Sequence, residues 1–174
     1  MNIKEKLADE HSMRISQEIQ QYVKDDLSLF SELIDILLGD EKKIAQRAAL
    51  AVNWCFDYDP AGFKNEADRL IKAFLKRKDI HVAIRRCIIR NLQFIEVPEK
   101  YQAQLFDRFL LILHQEDETI AVKAFSMRVA YNICKELPEL KVELEEAIRL
   151  NLEQSTSAGV QNRGKKILKK LAKL

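Results

Sequence analysis

Apolar and polar positions alternate with helical spacing along most of the chain, and one such pattern returns at a regular interval. The segments "KIAQRAALAVNWCF", "HVAIRRCIIRNLQF" and "TIAVKAFSMRVAYN" align without a gap at an offset of 38 residues. Ile44, Val82 and Ile120 then superpose, as do Arg47, Arg85 and Lys123. A fourth copy, "AGVQNRGKKILKKL", fits at an offset of 40 with Val160 and Arg163. Polar breaks precede each copy: "GDEK" at 39–42, "KRKD" at 76–79, "HQEDE" at 114–118 and "EQSTSAG" at 153–159. The pattern therefore predicts pairs of helices. First helices are expected over 28–38, 60–76, 98–114 and 138–152, and second helices over 41–56, 80–95, 119–135 and 159–173. Ahead of them, Ile15, Ile19 and Val23 share one face of an amphipathic N-terminal segment, read as a capping helix.

The prolines carry the same period. Pro60, Pro98 and Pro138 are spaced by 38 and 40 residues, and each opens a helical segment. Proline suits the first helical turn, where its missing N–H has no helical partner to lose. Glu99 and Glu139 follow directly, as the positive end of a helix favours, and Asp59 stands where an N-cap would be. Two helices per unit and a period near 40 residues predict an α-solenoid, because one hairpin cannot bury its apolar face alone. The fold class expected is all-α, a right-handed α-α superhelix of about four helical hairpins plus the capping helix. It is expected as a single domain over 1–174, with the cap at 1–25 and repeats near 26–59, 60–97, 98–137 and 138–174.

The second helices resemble HEAT repeats of the HEAT/armadillo superfamily. Those repeats place an acid near the turn, then an aliphatic–basic pair, then small residues. "KDIHVAIRRC" supplies Asp79, Ile84 and Arg85, and "EDETIAVKAF" supplies Asp117, Val122 and Lys123. "GDEKKIAQRAALA" keeps Asp40 and Arg47 with Gln46 in the aliphatic place, and Asn162–Arg163 is the most degenerate version. The whole chain is also similar to short bacterial HEAT-like proteins of unassigned activity, through "IAVKAFSM" and "RGKKILKKL". The resemblance implies that second helices line a concave surface. It also implies that Arg47, Arg85, Lys123 and Arg163 form a structural ladder bridging to Asp40, Asp79 and Asp117.

A helical wheel at about 100° per residue over 80–95 separates the residues of the second copy. Ile80, Ala83, Ile84, Cys87, Ile88, Phe94 and Ile95 fall on one broad face. Arg86, Ile89, Arg90 and Gln93 fall on the other, with Arg85 and Leu92 at the border. One period on, Met127, Arg128 and Tyr131 match Ile89, Arg90 and Gln93. A binding groove would then display Arg86, Ile89, Arg90, Gln93, Met127, Arg128 and Tyr131. Arginine, tyrosine and methionine are enriched at interfaces, and arginine pairs bidentately with carboxylates and phosphates. The same residues also read as ordinary exposed helix positions.

Composition narrows the picture. With 4 glycines and 3 prolines the chain has few turn formers, which disfavours an all-β fold. No apolar run approaches a membrane span. "MNIKEKLADEHSM" lacks the apolar stretch of a signal peptide, so the cytoplasm is expected. Net charge is +2, yet residues 155–174 carry six basic residues and no acid. Such a tail is either a solvated helix suited to its own dipole or a patch for nucleic acid or a membrane surface.

No catalytic constellation is evident. His11, His81 and His114 lie far apart, and no HExxH, GxGxxG, GxxxxGK[ST] or GxSxG occurs. Cys55, Cys87 and Cys134 each sit in an apolar stretch and read as buried thiols in a reducing compartment. Neither a metal nor a cofactor is expected. The chain does resemble DNA glycosylases of the AlkD type in architecture and in "IRRCIIRNL"; those enzymes use tryptophans, a catalytic aspartate and basic residues in a groove. Here Trp54 reads as core packing, with Asp57 three positions on. The expected function is a non-enzymatic interaction or scaffold module that docks a partner segment, one with acidic residues. The alternative is a nucleic-acid binding protein, with or without base excision.

Overall fold

Ten α-helices run through the residues that the computed structural model describes, which are 1–24, 26–77 and 80–174. They are α1 (Ile3–Asp9), α2 (Met13–Val23), α3 (Leu27–Leu38), α4 (Lys42–Tyr58), α5 (Ala61–Lys76), α6 (Val82–Leu92), α7 (Glu99–His114), α8 (Ile120–Glu136), α9 (Lys141–Gln154) and α10 (Ala158–Leu171). A turn of 3-10 helix, Pro138–Leu140, leads into α9. Among the described residues no strand occurs. The expected capping segment is two helices rather than one, because Ser12 accepts a hydrogen bond from the N–H of Ile15 at 3.2 Å and starts a new helix there.

Local chemistry sets the other starts. Asp26 accepts from the N–H of Ser28 at 2.8 Å ahead of α3. Asp59 accepts from the N–H of Ala61 at 2.9 Å, and Pro60 has φ −73°, already helical. Pro98 directly precedes α7, and Pro138 opens the 3-10 turn. One end departs from expectation. α6 stops at Leu92 instead of running to 95. Pro98 imposes extended backbone just upstream of itself. Phe94, placed by the wheel in the core, lies in the turn beyond the helix end and is 68% exposed.

The chain divides into two compact units, Met1–Asn91 and Leu92–Leu174. In the first, α3 and α4 form a hairpin, α3 packs on α5, and α1 and α2 cover α4. Phe30, Leu33, Ile34, Leu37, Val52, Phe63, Leu70 and Phe74 are its buried centre, and Phe56 meets Phe63 edge-on at 5.3 Å. Each large side chain of that kind contributes about 1.5–3 kcal/mol on burial. In the second unit, α7 pairs with α8 and α9 with α10, while α7 packs on α9 and α8 on α10. Helices of the same kind thus stack on one another. Gly164 of α10 allows a close approach there, since a Cβ at that position would lie 2.7 Å from Leu152 Cδ2.

Side chains one repeat apart tie the helix ends together. Arg47 donates to the carbonyls of Leu7 and Ala8 at 2.7 and 2.8 Å, and Arg77 to that of Leu38 at 2.9 Å. Asn132 donates to the carbonyl of Gln93 at 3.0 Å, and Asn151 to that of Leu113. The last carbonyls of a helix lack an intrahelical donor, so a neighbouring repeat supplies one.

Candidate functional site

In the first unit, a groove of about 540 Å³ runs between exposed parts of α4 and α6. Leu50, Trp54 and Asp57 line it from α4, and Arg86 and Arg90 from α6. These positions are three or four apart on each helix, so each set forms one stripe. Arg90 grips the carboxylate of Asp57 with one nitrogen, at 2.9 and 2.8 Å to its two oxygens. It also donates to Asn91 Oδ1 at 2.8 Å. Asn91 is fully buried, and its amide donates to Asn53 Oδ1 at 3.0 Å. Asp57 and Arg90 are thereby held and neutralise each other, whereas Arg86 stands exposed with no carboxylate partner among the described residues.

Trp54 is half-buried and lines this groove rather than packing in the core, although Leu92 and Ala130, its counterparts by period, are fully buried. The wheel erred on other groove residues too. Ile89 and Met127 are each 0% exposed and cannot present side chains to a ligand, while Gln93 is 7% exposed and only edges the cavity that Arg128 and Lys135 line. The reason is coverage. A second helix is buried over more than half its circumference; α8, for example, packs against α7 on one side and α10 on another. The exposed arc narrows to Arg86 and Arg90 on α6, and to Arg128 and Tyr131 on α8.

The expected ladder of basic residues is also corrected. Arg47 turns to the carbonyls ending α1 and forms no ion pair with Asp40 among the described residues. Arg85 is half-buried, and its expected partner Asp79 lies outside the described residues. Lys123 is buried and lines a cavity with Glu116, Glu118 and Asn151, while Asp117 is exposed to solvent. Orphan carbonyls compete for the guanidinium, and the buried lysine faces a cavity while Asp117 points to solvent. Arg163 is half-buried on α10.

In the second unit, two cations sit against one ring. Arg128 Cζ lies 5.6 Å from the centroid of Tyr131, and Lys170 Nζ lies 5.7 Å from it. Both are within cation–π range. Lys170 titrates below the ordinary lysine value, chiefly because Arg128 repels its charge, then through partial desolvation and the charges of Arg163 and Lys135. Lys135 escaped the sequence reading as a ligand candidate, and Lys170 entered it only as part of the basic tail. Their signal was present as i, i+7 spacing: Arg128 with Lys135, and Arg163 with Lys170.

The three cysteines are not poised as nucleophiles. Burial pushes the thiols of Cys55, Cys87 and Cys134 up to about 12, where no useful thiolate exists at neutral pH. Among the described residues no three His, Cys, Asp or Glu side chains converge as a metal site would need, and no helix is long and apolar enough to cross a membrane.

A family model described as a HEAT repeat domain matches residues 3–171. No curated protein and no solved structure matches the chain.

Proposed function

The chain belongs to the HEAT repeat family, and from that membership we propose that it is a non-enzymatic interaction module of the cytoplasm, docking a segment of a protein partner across its second helices. HEAT repeats commonly mediate protein interactions. The observation that carries the reading is the groove of the first unit. Leu50 and the half-buried indole of Trp54 give it apolar surface, and the uncompensated Arg86 gives it one positive charge. Tryptophan and arginine dominate binding energy at protein interfaces. Because Asp57 cancels Arg90, the partner segment carries an acid for Arg86 beside an apolar anchor for Trp54.

The test is capture of partners from the source cell by the full chain, compared with Trp54→Ala and Arg86→Glu. The same proteins should be lost from both variants and kept by a Lys64→Glu control on the exposed side of α5. Unchanged recovery with the folded variants sinks the groove reading.

Nucleic-acid binding is the second reading, supported by the basic side chains of α8 and α10 around Tyr131. Phosphate contacts make such binding steeply salt-dependent. A gel-shift series with and without residues 155–174 tests it, and no shift at low salt removes it. Base excision has less support. The carboxylate of Asp57, the acid beside Trp54, is engaged on both oxygens by Arg90.

A further inference from the structure

Several cations of the first unit are matched to acids: Arg14 to Glu10 and Glu18, Arg69 to Asp35, Lys72 to Asp68, Arg90 to Asp57. The second unit gathers unmatched cations on two packed helices. Arg128 and Lys135 lie on one stripe of α8, two turns apart, with Tyr131 between them. Arg163 and Lys170 lie on one stripe of α10, also two turns apart. The two helices pack together, and the ring of Tyr131 takes Arg128 and Lys170 at once. Among the described residues none of these four cations is ion-paired with a carboxylate. Like charges gathered this way repel one another, which is unfavourable unless something negative lies between them.

We infer that Arg128, Lys135, Arg163 and Lys170 form a site for a phosphate monoester carried on a side chain of the protein partner. A phosphorylated side chain brings a charge of about −1.5 to −2 and three strong acceptor oxygens. That answers Arg128 and Lys170 together beside the Tyr131 ring, with Lys135 and Arg163 flanking them, whereas a carboxylate brings one charge and two oxygens. Two of the cations are arginines, whose planar fork matches phosphate oxygens bidentately. Tyr131 holds two of the cationic heads in place before the ligand arrives, which lowers the ordering cost of binding. A polynucleotide fits less well. The groove that Arg128 and Lys135 line also carries Glu96 and Glu136, so a strand following it would bring its next phosphates against carboxylates.

The protein source of the phosphate rests on the interaction reading; the site itself rests on the second unit alone. Fluorescence anisotropy with the full chain tests it. The probes are a labelled phosphoserine peptide in a Gly/Ser background, its unmodified twin and its aspartate version, with inorganic phosphate as competitor and an oligothymidylate of similar length. The phosphopeptide should bind about tenfold or more tightly than either twin, and inorganic phosphate should displace it. Arg128→Gln and Lys170→Gln should each weaken binding about tenfold, the loss of one charged hydrogen bond, while Lys64→Glu on the exposed side of α5 leaves it unchanged. A melting temperature raised by phosphate over chloride at equal ionic strength, in the parent but not in the Arg128→Gln/Lys170→Gln chain, is the second readout. Equal affinity for the three peptides, tighter binding of the oligothymidylate, or full affinity in the folded double variant overturns the proposal. Loss of partners through Trp54 and Arg86 without phosphopeptide binding removes this site and leaves the interaction reading standing.

Discussion

Asn91 Nδ2 donates to Asn53 Oδ1 at 3.0 Å, joining α6 to α4 at a separation of 38 residues, one repeat along the chain. The bond is part of a chain that begins at the groove: Asp57 to Arg90, Arg90 to Asn91, Asn91 to Asn53. A buried amide inside an apolar stack is unfavourable unless satisfied, so it fixes which residues of neighbouring repeats can face each other.

Asn91→Ala should therefore destabilise the fold by about 1–3 kcal/mol, since it removes a buried partner from Asn53 and from Arg90 together. Urea unfolding followed by circular dichroism measures it. The double variant Asn53→Ala/Asn91→Ala should cost less than the two single losses added, because the pair shares one interaction. Strict additivity would show that the bond carries no coupling.

The bonds that close helix ends give a second expectation. Asn151 is almost fully buried and donates to the carbonyl of Leu113 near the end of α7. Asn151→Leu keeps the branched shape but orphans that carbonyl, at a cost of about 1–3 kcal/mol. Arg77→Ala, at the partly exposed bond to Leu38, should cost about 1 kcal/mol. Comparing the two denaturation midpoints checks that burial, not bond count, sets the difference.

The thiols report on integrity. With Cys55, Cys87 and Cys134 pushed up to about 12 by burial, only about one in ten thousand of each is thiolate at pH 8. A chromogenic disulfide reagent should modify none of them in the native protein and all three in urea. The urea dependence of the modification should trace the unfolding curve. Fast native labelling of any one would contradict its burial.

Lys170 supplies a pH-dependent expectation. Its folded pKa lies below the 10.5 of an unperturbed lysine, first because of Arg128. The folded chain thus holds this proton less tightly than the unfolded chain. The resulting penalty is present in full at neutral pH and is relieved as the pH rises through the folded value towards 10.5. Lys170→Gln should raise the melting temperature at pH 7, with a gain that shrinks in alkaline buffer. A lowered melting temperature at pH 7 would mean that the contact with Tyr131 outweighs the repulsion.

The sequence by itself determined the helical hairpins. The 38-residue return of "HVAIRRCIIRNLQF", the three prolines and the polar breaks are local signals, and the chemistry behind them is local: caps, fixed proline φ and amphipathic spacing. Starts at Ala61, Glu99 and Ile120 fall within one residue of the expected positions for that reason. Which side of a second helix stays open was a different matter. Ile89 and Phe94 exchanged roles, the first buried and the second exposed, because a wheel sees one face and a stacked helix is covered on more than one. Trp54, Asp57 and Arg90 meet only through the approach of α4 and α6, and Arg128, Tyr131 and Lys170 only through that of α8 and α10. Such meetings depend on packing between residues more than 30 positions apart, which periodicity along a single helix does not encode. The repeat is written in the chain; the charges left without a partner are decided by the tertiary stack.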